Sequence, residues 1–91
     1  MPYIKENKRA ILDPAIAALQ NALRELECDD AENDMGGNLN YVFTRLLKSC
    51  YTSKYSEMAQ AASVLEMAKL EYYRTVCAPY EAQKCYDNGD V

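Results

Sequence analysis

From Tyr55 to Cys77 the chain runs for 23 residues without a glycine or a proline, and apolar residues recur through that run at spacings of three and four. Such a run can form one long helix and little else. Met58, Ala61, Ala62, Leu65, Ala68, Tyr72 and Val76 make one stripe along it. Leu70, Tyr73 and Cys77, with Tyr80 beyond, project to a neighbouring face, and Val64 and Met67 project nearly opposite. A helix that is apolar on several sides is one that is covered on several sides. A bundle of three or four short helices cannot supply that much cover from one chain, so burial against another subunit is expected, with Val64, Met67, Leu70 and Cys77 at the interface; the plainer reading is scattered exposed apolar residues, which are normal on a protein surface.

The remainder also reads as helix. The composition is rich in Ala, Leu, Glu and Lys and holds three glycines and three prolines, which suits helices better than a succession of turns. A short helix is predicted over 5–12. Asp13-Pro14 reads as a boundary, with Asp13 as cap and Pro14 at the first position of a second helix over 14–28. Ile16, Leu19, Leu23 and Leu26 form its apolar stripe. The acidic segment 29–38, with Gly36 and Gly37, reads as a loop. Asn38 or the glycine before it then caps a third helix over 39–51, whose apolar face is Leu39, Val42, Phe43, Leu46, Leu47 and Cys50. The long helix is placed at 55–86 and kinked near Pro79, with Ala78 pushed away from helical angles. Asn88-Gly89 supplies its stop. The fold class is therefore all-α: a small helical bundle in a single domain over 1–91, with one long, Pro-kinked C-terminal helix. At 91 residues such a domain buries only about 60–65% of the surface its unfolded chain exposes, which makes its own core marginal.

Charge and composition narrow the function. The net charge of −4 repels a phosphate backbone over most of the surface, so duplex nucleic acid is not expected as a partner. No stretch approaches the roughly 18 apolar residues of a membrane span. The first ten residues lack an apolar core of the kind a secretion signal needs. Cys28, Cys50, Cys77 and Cys85 show no C-x-x-C spacing, and the chain has no histidine. Free thiols and a cytoplasmic location follow as the expectation.

The search for catalytic chemistry is short. Without histidine, nucleophilic catalysis of the Ser-His or Cys-His type has no base. Gly36-Gly37 is not followed by the Lys-Ser or Lys-Thr of a phosphate loop. Asp29, Asp30, Glu32 and Asp34 do not fall at the fixed places of an EF-hand, so they read as a solvated loop rather than a metal site. Glu25, Glu27, Glu66 and Glu71 do not give the Glu-x-x-Glu pairs of the helical pyrophosphatases. No enzyme, metal or cofactor is expected.

What remains is aromatic and cationic. The chain has eight tyrosines and no tryptophan. On the last helix Lys69, Tyr73, Tyr80 and Lys84 share one face, and Glu66 joins it. On the preceding helix Asn40, Thr44 and Lys48 form a polar strip flanked by Tyr41 and Arg45. Tyrosine rings stack on nucleobases and cations hold phosphate, so Tyr73, Tyr80, Lys69, Lys84, Arg74, Asn40, Tyr41, Thr44 and Arg45 are the candidate ligand-binding residues. The plainer reading makes the tyrosines packing residues with hydroxyls at the surface, and makes the polar strip a solvated helix side.

Several segments carry a resemblance: Met1 to Ile4, Arg9, Leu12 and Asp13; Leu39, Asn40, Tyr41, Thr44 and Leu46; Val64 to Glu66, Ala68 to Glu71, Tyr73 and Arg74; Pro79, Tyr80 and Glu81; and Asn88 to Val91. They resemble a family of small proteins of unknown function found largely in phage genomes and in some bacteria. Its pattern runs MPYI, GDLNYVITRL, VLE-AKLEFYRR, PYE and NGDVY. Asn38 stands where that pattern has Asp, Thr75 where a second Arg is common, and the closing Tyr is absent. The resemblance implies a phage-type accessory protein, acting in the host cytoplasm if phage-encoded, and supplies no activity. Two functions fit. One is an oligomeric sponge that sequesters a small anionic, nucleotide-like signal of host defence. The other is an inhibitor or adaptor that binds a host protein through an exposed helix face.

Overall fold

The computed structural model describes residues 3–29 and 34–91. It is all-α, with no strand among the described residues. Helix α1 spans Glu6–Asp29 and α2 spans Met35–Cys50. The third helix is 34 residues long and made of joined pieces. These are α3 (Tyr55–Tyr72), a π turn (Tyr73–Cys77) and α4 (Ala78–Asn88).

Three boundaries differ from expectation, each for a local reason. The first concerns Pro14, which lies inside α1 rather than starting a new helix. A proline removes one backbone donor and crowds the carbonyl four residues back. Here the flanking segment is dense in strong helix formers, with Ala10, Ala15, Ala17 and Ala18 close by, and one lost bond does not end it.

The second concerns the start of α2. Asp34, not Asn38 or a glycine, is the N-cap, and its carboxylate accepts the Gly37 N–H at 2.9 Å. The Asn38 N–H then reaches the Asp34 carbonyl at 3.0 Å, so Gly36 and Gly37 form the first turn of the helix and not the end of a loop. Of the acidic loop placed at 29–38, residues 30–33 lie outside the described residues, as do Met1 and Pro2. At the other end Tyr51 turns extended and donates to the Leu47 carbonyl, closing α2 where Thr52 and Ser53 follow.

The third concerns Pro79. Ala78 keeps helical angles, φ −63° and ψ −44°, against the steric preference of a residue before proline. The chain accommodates the ring by widening the preceding turn. The Ala78 N–H donates to the Tyr73 carbonyl, five residues back instead of four. Within that turn the Thr75 hydroxyl donates to the Glu71 carbonyl at 2.8 Å. The helix ends at Asn88, where Gly89 takes a positive φ of 86° that only glycine adopts at no steric cost, and its N–H caps the Cys85 carbonyl at 2.9 Å.

The contacts divide the chain into two compact units, residues 3–52 and residues 53–91. In the first, α1 and α2 touch, and Leu19, Leu23, Leu39, Val42 and Leu47 are half-buried. The second is the long helix. Its half-buried positions are Glu57, Ala61, Glu71, Cys77 and Ala78, none of them a large aliphatic residue. No described residue of either unit is buried.

Candidate functional site

The ligand-binding candidates of α2 pair along their own helix. Arg45 Nη1 donates to the Tyr41 hydroxyl at 2.8 Å, and the guanidinium carbon stands 5.7 Å from the centre of the same ring. Thr44 Oγ1 lies 3.1 Å from Asn40 Oδ1. Both contacts join residues four apart, the spacing that brings side chains together on a helix surface. All four residues are exposed.

The candidates on the long helix pair in the same local way. Lys84 Nζ stands 5.5 Å over the Tyr80 ring. Lys69 Nζ lies 3.4 Å from Glu66, and Arg74 is held by Glu71. The Glu71 carbonyl accepts the Thr75 hydroxyl as well, so Glu71, Arg74 and Thr75 form a polar cluster at the π turn. The spacing of residue types does not single out that cluster. Its signal is Pro79, at the end of an otherwise unbroken run, which the turn before it accommodates. Exposed ion pairs and cation–π contacts of this kind contribute roughly 0.2–1 kcal/mol each. They set side-chain direction more than stability.

The π turn also changes which residues share a face. An i→i−5 turn inserts one extra residue into the helix, so faces downstream of it rotate by about 100° relative to an unbroken helix. The spacing that put Tyr80 and Lys84 beside Lys69 and Tyr73 therefore does not carry across residues 73–77. Tyr80 and Lys84 lie instead in line with Leu65 and Tyr72. The Asn40, Tyr41, Thr44 and Arg45 set belongs to the unit 3–52, and Lys69, Tyr73, Arg74, Tyr80 and Lys84 to the unit 53–91. Each set is a surface in its own right.

Around these polar pairs the long helix is apolar. Val64 is 47% exposed, Met67 49%, Leu70 51% and Tyr73 56%, and Leu65 on the supposed core stripe is 42% exposed. Cys77 is half-buried within the π turn.

Among the described residues no group of three or more His, Cys, Asp or Glu side chains is placed to hold a metal ion. The four cysteines are unbridged. No described helix is long and apolar enough to cross a membrane. A shallow depression on α1, lined by Asn21, Arg24, Glu25 and Cys28, is open and formed by one helix alone.

The chain belongs to the family described as Domain of unknown function (DUF6899), whose model matches residues 1–91. No curated protein and no solved structure matches it.

Proposed function

We propose that this member of the DUF6899 family is a non-catalytic accessory protein that works as a homo-oligomer and sequesters a small anionic, nucleotide-like ligand where its subunits meet. The observation that carries the reading is the long helix: 34 residues, apolar on several sides, with no buried residue on it. A helix of that kind is stable in water when other helices cover it. The Tyr41–Arg45 and Tyr80–Lys84 pairs support the ligand. Each offers a ring face for a base and a cation for a phosphate, on side chains already arranged by their own helix. The phage setting that the sequence motifs imply makes a signal of host defence the natural cargo, and the host cytoplasm the place of action.

A second reading keeps the exposed helix and changes the partner. The cations near it are engaged by Glu66, Glu71 and the Tyr80 ring, which leaves apolar surface as the dominant feature of Tyr55–Asn88. That favours a protein-binding inhibitor acting through the helix face.

Native mass spectrometry of the protein purified from cells separates the two. A homo-oligomer carrying a retained mass of a few hundred daltons that absorbs at 260 nm supports the sponge. A complex with a host polypeptide supports the inhibitor. A bare monomer overturns both.

A further inference from the structure

We propose that Asn88 is a site of self-modification: it loses its side-chain amide by attack of the Gly89 backbone nitrogen, and the hydrogen bond that caps α4 sets the pace.

Asn88 is the last residue of α4 and Gly89 the first beyond it. A backbone nitrogen that follows asparagine can attack the side-chain carbonyl carbon, because the ring that forms has five members. A side chain on the following residue obstructs that approach, and glycine carries none. The other asparagines precede Lys8, Ala22, Asp34, Leu39 and Tyr41, so Asn88 is set apart by its neighbour. The linkage is also open to water. Residues 86–91 are all exposed, and a Cβ built on Gly89 would meet nothing within 4 Å.

The step balances with water as the co-reactant. The Gly89 nitrogen gives up its proton to water or hydroxide and bonds to Asn88 Cγ. The bond from Cγ to Nδ2 breaks, and ammonia leaves after taking a proton from water. A second water then opens the imide at either carbonyl. One opening leaves aspartate. The other leaves isoaspartate, in which the main chain runs through the side-chain carbons. Nothing is oxidised or reduced.

The cap restrains the first step. The Gly89 N–H donates to the Cys85 carbonyl at 2.9 Å, so the attacking nitrogen is engaged as long as the last turn is closed. Ring closure also needs Asn88 to leave its helical backbone angles. A hydrogen bond of ordinary net strength makes that opening roughly fivefold less favourable. Terminal turns still open often, so the reaction is slowed and not stopped. The product cannot rebuild the same end. The last turn of α4 holds no basic residue, and a new carboxylate at position 88 would stand beside Asp87 and Asp90 at the negative end of the helix. Isoaspartate also lengthens the backbone by one carbon, which moves the Gly89 N–H away from the Cys85 carbonyl. The modification thus removes the restraint that delayed it.

Peptide mapping by mass spectrometry tests this on the full chain at neutral pH and 37 °C, in buffer and in urea that unfolds it. The C-terminal peptide is expected to exchange NH2 for OH, mostly as isoaspartate, at a rate in buffer roughly fivefold below that in urea. In Asn88→Gln, where the ring would need six members, the exchange is expected to disappear. Amide hydrogen exchange at Gly89 is expected to quicken in Asn88→Asp. Conversion in urea with none in buffer overturns the site, and so does a conversion that survives Asn88→Gln. Equal rates in buffer and urea overturn control by the cap. Unchanged hydrogen exchange in Asn88→Asp overturns the loss of the cap in the product.

Discussion

Gly37 has no side chain where the Asp34 carboxylate sits, and a Cβ there would collide with it. The two residues therefore act together: Asp34 caps α2 because Gly37 leaves the space. Capping by Asp contributes about 1 kcal/mol, and glycine in the first turn forgoes a similar amount of helix propensity relative to alanine. The expected outcome is a non-additive pair. Asp34→Ala lowers the midpoint of thermal unfolding. Gly37→Ala alone changes it little, because the gain in propensity is offset by displacement of the cap. Gly37→Ala in the Asp34→Ala background raises it by the equivalent of about 1 kcal/mol. Thermal melts of the four proteins by circular dichroism check this, and equal effects of Gly37→Ala in both backgrounds would refute it. At this scale the sequence misleads for a definite reason. A Gly-Gly pair is locally a helix breaker, and only the carboxylate three residues earlier turns it into a first turn. The cysteines are easier to read. Cys28, Cys50, Cys77 and Cys85 are free, and all four are expected to react with a thiol reagent in protein unfolded without reductant.

At the scale of the element, the helical period is plain in the sequence and the response to proline is not. The spacing of Ile16, Leu19, Leu23 and Leu26, and of Met58, Leu65 and Tyr72, is enough to require helices. Whether a proline ends a helix, passes inside it or widens the turn before it depends on how well the flanking residues hold the backbone. The chain shows the last two outcomes, at Pro14 and at Pro79. Pro14→Ala is expected to stabilise α1, since an interior proline costs about 3 kcal/mol relative to alanine. Melting followed at 222 nm should show a higher midpoint and an unchanged subunit count. A lower midpoint would mean that Pro14 serves a packing role that the described contacts do not contain.

For the whole molecule, the all-round apolarity of the C-terminal third is legible in the residue order, because it depends only on a count of faces around one helix. The ligand-binding candidates are legible as types but not as a group. Their contacts join residues three or four apart along one helix, and the π turn breaks the register on which the grouping of Tyr73 with Tyr80 depends. Association should reveal itself as mass action. The thermal midpoint is expected to rise with protein concentration between 1 and 100 μM, as it does when folding is coupled to assembly. Leu70→Glu, which places a charge on an exposed apolar face, is expected to lower the subunit count in sedimentation and to flatten that dependence. A midpoint independent of concentration would count against an obligate oligomer.

A polypeptide whose described residues include no buried side chain has another consequence, and it concerns lifetime in the cell. Helices without cover open readily, and proteases cut what opens. Subunits that associate escape this fate, and solitary ones do not. Abundance would then depend on synthesis rate with a threshold. Below it the copies are degraded as fast as they appear, and above it each new copy shelters another, so that the protein accumulates only where it is made in a burst.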